Sequence, residues 1–306
     1  MNKKGLLLVF STAVISGFSI FINKFGVSLA DPYVFAFLKN VIVALALTGL
    51  VLFLKNRAAL RGLKPKQWLL LVLIGLIGGS IPFLLFFKGL ALTSAAQGSF
   101  IQKTMFIYVT AMAVVFLKEK LSKNFLIGAL LLLLGNTLLL KTLNFSFGYG
   151  DLLILLATLF WATENIISKY TLKDMPAKTV AWGRMFFGSI FILGFLGVSG
   201  RIDSIVVLNF GQISWVLITA AILLGYVVSW YNGLKYIPVS VACAILLLGS
   251  PITTLLAAIS AGKINFQEIL SGLLILSGLT VIIGASYLWK KIIKMRSLIS
   301  WSHPER

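Results

Sequence analysis

A chain of 306 residues that is 59% hydrophobic and only 11% charged, with a mean hydropathy of +1.02, has too little charge to cover a water-soluble domain. Its net charge of +19 does not signal nucleic-acid binding, because the lysines and arginines sit in short breaks between apolar runs and form no patch interleaved with aromatics. Cys243 lies within an apolar run and the single histidine, His303, in the last few residues, so there is no disulfide framework and no metal-ligand cluster. No cofactor is expected.

The first apolar run, 5–27, follows Lys3 and Lys4 and precedes Ser28-Leu29-Ala30, which imitates a secretory signal with its cleavage point. Lys24 interrupts that pattern, and the run has a counterpart later in the chain, so it reads as a retained helix. Nine further runs follow: 33–54, 68–91, 96–117, 122–141, 150–172, 177–198, 213–234, 239–260 and 266–289. Each is near the roughly 20 residues that carry a helix across a hydrocarbon core of about 30 Å. Asp31-Pro32, Lys64-Pro65-Lys66, Gly148-Tyr149-Gly150-Asp151 and Ile237-Pro238 punctuate them. With the N-terminus inside, 18 lysines and arginines, Lys55 and Arg57 among them, fall in inner segments, and only Lys141, Arg201 and Lys263 fall in outer loops. That asymmetry predicts both termini in the cytoplasm and a location in the cell (inner) membrane.

An internal repeat organises the ten spans. At a shift of 145, Lys24 falls on Lys169, Ser16 on Trp161, Ser19 on Glu164, Asn23 on Ser168 and Lys39 on Arg184; at 144, Gly89-Leu90 falls on Gly233-Leu234 and Gly128 on Gly272. Five spans per copy is an odd number, so the second copy enters the membrane upside down. The expected architecture is therefore an all-α integral membrane protein of ten transmembrane helices in two inverted five-helix repeats, 1–145 and 146–290, with a basic tail at 291–306. Inverted repeats that exchange conformations provide alternating access.

The chain resembles the ten-helix EamA-type branch of the drug/metabolite transporter superfamily over about residues 5–289. The resemblance rests on Lys39 and Arg184, on Phe160-Trp161 ahead of a polar stripe, on Gly249-Ser250-Pro251 and on Lys118-Glu119-Lys120. The departures are Ser16 where the first half would carry tryptophan, Ile107 opposite Pro251, and Lys263 where Glu119 would recur. The resemblance implies export of amino acids, metabolites or drugs without ATP. It also implies a cavity lined by spans one, three, four, six, eight and nine.

Polar side chains at membrane depth cost about 2.5–3.5 kcal/mol each when charged, so they mark candidate function. In span six, Trp161, Glu164, Asn165 and Ser168 recur at helical spacing on one face. Glu164 is the only acid in the interior of any span; it should pair with a cation such as Lys103 or Arg184, or hold a proton. Lys103, beside Gln97 and Gln102, is either a snorkelling lysine or an anchor for an anionic group. Lys39 and Arg184 suggest a gating or structural role at helix ends, with Pro251 and Pro82 as hinges. Tyr108 with Met105 and Met112, and Tyr226 with Trp230, form aromatic and methionine stripes suited to core packing or to an apolar solute.

The expected function is secondary export of a small metabolite, amino acid or amphipathic drug-like solute, with protons as a possible coupling ion through Glu164. The partners are the solute and the bilayer, with no nucleic acid, in a monomer or homodimer. A membrane enzyme is disfavoured, since one interior acid and no interior histidine make a poor catalytic set. A non-transporting helical partner or lipid-handling protein is the alternative.

Overall fold

A computed structural model of the chain describes residues 2–53, 60–142, 146–205 and 208–301. Its helices in chain order are α1 (Lys3–Leu29), α2 (Pro32–Phe53), α3 (Pro65–Leu92), α4 (Ala95–Phe116), α5 (Lys123–Thr142), α6 (Tyr149–Thr171), α7 (Ala177–Val198), α8 (Phe210–Leu234), α9 (Val239–Ser260) and α10 (Phe266–Trp301). No strand occurs among the described residues. Nine of these helices are long and apolar enough to cross a bilayer, and α5 adds a shorter apolar stretch, Lys123–Leu139. The protein is a multi-pass membrane protein. Every expected boundary falls within three residues of the observed one except the last, because α10 runs on to Trp301. His303 and the rest of the tail beyond residue 301, like Lys55 and Arg57, lie outside the described residues.

Helix α1 packs along α8 and α3 along α6; α2 packs on α7, α5 on α10, α9 on α1 and α4 on α6. Exchanging the first five helices for the last five leaves this pattern unchanged. Directions follow from small residues at the crossings. Gly5, at the start of α1, lies against Gly233 and Tyr236 at the end of α8, and Gly150, at the start of α6, lies against Gly89 and Leu92 at the end of α3. Within each pair the helices are therefore antiparallel. Lipid offers no hydrophobic drive between helices, so close backbone approach supplies the attraction. Gly128 against Gly278, and Gly135 against Ser271, do this between α5 and α10.

Three helices are interrupted. In α3 a widened turn, Gly75–Ser80, precedes Pro82. Proline has no N–H to offer the carbonyl four residues earlier, which leaves the Gly78 oxygen open to side chains. Helix α4 breaks at Thr104, between Ala95–Lys103 and Met105–Phe116, and α9 breaks at Leu247 and Leu248, between Val239–Leu246 and Gly249–Ser260. Thr104 and Leu248 are equivalent at the 144-residue shift. Pro251 accompanies only the second break, and Ile107 stands opposite it, so proline is not what both breaks require. In α4 the Thr104 hydroxyl donates to the Ile101 carbonyl at 2.6 Å.

The tightest approach joins α3 and α7. A Cβ on Gly79 would lie 2.0 Å from the Arg184 carbonyl oxygen, which is backbone and cannot turn aside. Gly79→Ala should therefore cost about 1–3 kcal/mol or more and lower the thermal midpoint of the detergent-purified protein. Gly194→Ala, with nothing within 4 Å of the added carbon, should leave that midpoint unchanged.

Candidate functional site

Midway along the helices, one cavity brings together side chains from both halves. Ser16, Ser19, Ile20 and Asn23 of α1, Phe83, Phe86 and Phe87 of α3, Gln102 and Met105 of α4, Trp161, Glu164 and Asn165 of α6, and Leu223, Tyr226 and Trp230 of α8 line it, together with Lys39 of α2 and Arg184 of α7. The space within it is about 60 Å³ for the centres of water molecules, room for roughly four waters. A larger solute needs the walls to part.

Each polar group here is held by a specific neighbour. The freed Gly78 carbonyl accepts from Trp161 Nε1 at 3.0 Å and from Arg184 Nε at 3.1 Å. Glu164 is fully buried, and its Oε1 accepts from the hydroxyls of Ser168 and Tyr231, the latter at 2.5 Å. Arg184 reaches the same Tyr231 oxygen at 3.5 Å. The tyrosine hydroxyl thus stands between arginine and carboxylate, and no direct Glu164–Arg184 or Glu164–Lys103 ion pair forms. Glu164 Oε2 is buried with no hydrogen-bond partner. Gly78 makes this packing possible, since a Cβ there would meet Glu164 Cγ at 2.2 Å.

Lys39 is 1% exposed. Its ammonium donates to Asn23 Oδ1 at 2.5 Å and lies 4.4 Å and 5.1 Å from the ring centres of Phe87 and Phe35. These contacts are with neutral groups only; the aromatic faces offset part of the desolvation cost. Asn165 donates to the Trp161 carbonyl and accepts from Trp230 Nε1 at 3.0 Å, which fixes the indole. Tyr226 stacks on that ring at 6.3 Å.

The sequence-selected residues are therefore distributed unevenly. Trp161, Glu164, Asn165, Tyr226 and Trp230 share the cavity, and Lys39 and Arg184 join them there. Lys103 lies at the break in α4, where its ammonium donates to Ser16 Oγ at 2.6 Å and Gln102 Oε1 at 2.8 Å, behind the lining rather than in it. Tyr108 is half-buried and, like Pro251, does not line the cavity. Span nine, expected to line it, contributes none of its wall, while α2 and α7 each reach it through a cation.

Two lysines with a matched geometry were not among the selected residues. Lys24 Nζ donates to the carbonyls of Leu90 and Ala91 at the end of α3, at 2.9 and 3.2 Å. Lys169 Nζ donates to the carbonyls of Leu234 and Ile237 at and just beyond the end of α8, at 2.6 and 2.7 Å. The signal was present in the repeat, which pairs Lys24 with Lys169 and Leu90 with Leu234.

Comparison with known proteins agrees with this architecture. The profile of the EamA-like transporter family matches residues 3–141 and 148–284. The chain belongs to that family. An uncharacterized transporter of Archaeoglobus fulgidus is 26% identical over 205 residues, 65% of this chain and 69% of its own. The uncharacterized transporter YyaM of Bacillus subtilis is 24% identical over 76% of this chain and 78% of its own. The uncharacterized inner membrane transporter YhbE of Escherichia coli is 24% identical over 58% and 57%. One crystal structure superposes with a TM-score of 0.74 over 95% of this chain and 99% of its own, at 16% identity, which establishes a shared fold.

Tyr231→Phe should remove the hydroxyl between Arg184 and Glu164 without changing the ring's volume. Its loss leaves Glu164 Oε1 with Ser168 alone, at a cost of about 1–3 kcal/mol. A lower thermal midpoint than wild type, with unchanged helical circular dichroism, is the expected reading.

Proposed function

We propose that this EamA-family protein is a secondary transporter that exports a small amphipathic solute by alternating access. What carries this reading is a cavity at mid-membrane depth, lined by two buried cations and a carboxylate oxygen without a partner. Such groups are expensive in lipid and mark solute or ion pathways. The antiparallel pairing of α1 with α8 and of α3 with α6 supports two inverted copies, with the cavity between their walls. The lysine and arginine bias supports both termini on the cytoplasmic side of the inner membrane, and the bacterial inner-membrane relative agrees.

Lys39 is the proposed anchor for an anionic group on the solute, because its present contacts are all neutral. Phe83, Phe86, Trp161, Tyr226 and Trp230 would take up an apolar or aromatic body. Glu164 is the proposed proton carrier. Its Oε1 is fixed by two hydroxyls, while Oε2 is left to bind and release a proton as access alternates. The described residues that line the cavity include one acid and no histidine or cysteine, which favours transport without chemical conversion.

Two substitutions test it in proteoliposomes. Glu164→Gln keeps the Oε1 contacts and removes the titratable oxygen; proton-driven transport should be abolished while the protein stays folded. Wild-type rates with unchanged pH dependence would remove Glu164 from the mechanism. Lys39→Met should weaken binding of carboxylate-bearing solutes about tenfold or more and leave neutral aromatic ones nearly unaffected, read by ligand-induced thermal shift. Equal losses for both classes would argue against an anion anchor.

A further inference from the structure

Helices α1 and α8 form one wall of the cavity, with α9 packed on α1 behind it, and α3, α4 and α6 form the opposite wall. Lys24 crosses from α1 to the α3–α4 turn, and Lys169 crosses from α6 to the α8–α9 turn. The two crossings are at opposite ends of the cavity, because the start of α1 lies at the end of α8. In each, an ammonium meets the last carbonyls of a helix, where the partial negative charge of the helix dipole favours it.

The second turn has an additional clasp. Helix α4 ends with Lys118 in the left-handed region at φ 56°, and the Glu119 N–H returns to the Ala113 carbonyl. This turn aims the Glu119 carboxylate at the start of α9. There Oε1 accepts from Val239 N at 2.8 Å, and Oε2 accepts from Ser240 Oγ at 2.5 Å and Ser240 N at 3.3 Å. The α8–α9 turn is thus gripped on its carbonyl side by a cation and on its amide side by an anion, both from the opposite wall. The other half repeats the backbone but not the charge. Gly262, equivalent to Lys118, is left-handed at φ 68°, and the next residue is the exposed Lys263. At the α3–α4 turn the start of α4 is capped by its own Ser94, and Asp151, which binds Thr93 and Gln97, belongs to the same wall.

Building on the transporter reading above, we propose that Lys24 and Lys169 are the latches of two gates at opposite ends of the cavity. Glu119 makes the α8–α9 gate the tighter one, so the ligand-free protein opens first at the α3–α4 face. Release of one latch at a time is what alternation requires. The unequal grip sets which face waits for solute or for release.

The test uses a single reporter cysteine in the cavity, Ile20→Cys on a Cys243→Ala background, labelled with an impermeant maleimide from either face of oriented membrane vesicles. Labelling should be faster from the α3–α4 face in the otherwise wild-type protein. Lys24→Met should raise that rate about tenfold, and Lys169→Met or Glu119→Gln should raise the rate from the α8–α9 face by a similar factor. Lys24→Arg, which can still donate to the carbonyls, should keep the parent pattern. Should either methionine variant fail to fold, Glu119→Gln decides. If it leaves the sidedness unaltered, or if Lys24→Met opens the α8–α9 face, the latch assignment is overturned. A solute that alters Ile20→Cys labelling while no variant redistributes it defeats the latches but not the transporter. Labelling that no solute changes, with no counterflow of any solute, defeats the transporter reading as well.

Discussion

The arrangement depends on how one backbone carbonyl in α3 is satisfied. Pro82 cannot donate to the Gly78 oxygen, and the widened turn that precedes it turns that oxygen toward α6 and α7. A buried carbonyl must find a donor, and Trp161 and Arg184 meet it. Arg184, once positioned there, reaches the Tyr231 hydroxyl, and that hydroxyl holds one oxygen of Glu164. The aromatic wall, the arginine and the acid are in this way placed by one backbone defect in α3.

Glycine makes the defect tolerable. Gly78 accepts the flank of Glu164, and Gly79 and Gly188 bring the backbones of α3 and α7 into contact. Asn40 donates to the Gly79 carbonyl at 2.8 Å, which ties the neighbouring carbonyl to α2. A segment whose backbone bonds run to side chains on three other helices is coupled to all of them. Movement of α3 past α6 would be felt at Arg184, Glu164 and Asn40 together, which suits a part that changes position in a transport cycle.

The two halves share a scaffold and differ in charge. Both fourth helices break at equivalent positions, both end in a left-handed turn, and both first helices send a lysine to a helix end. The differences are Ser16 opposite Trp161, Ser19 opposite Glu164, Lys39 opposite Arg184, and Lys263 opposite Glu119. On the proposed transport reading, a symmetric frame with unequal polar groups would give two related conformations of unequal stability, and a solute would bias such a pair.

From the chain alone, the spans and their boundaries could be read, because lipid imposes a continuous apolar requirement that local composition reports directly. The family and the polar face of α6 were equally visible, since a 3.6-residue period needs no knowledge of neighbours. The sequence could not say which neighbours those polar groups would meet. Lys39 and Arg184 were expected to serve as gates or to bond the end of a neighbouring helix; both line the cavity, and Lys24 and Lys169 make the helix-end contacts. Lys103 is as buried as either cavity cation, but a break in α4 sets it behind Ser16. The reason is physical: depth along a helix follows from counting residues, whereas the partner across a gap of a few ångströms is fixed only when widened turns, glycine contacts and helix breaks set the rotation of each helix.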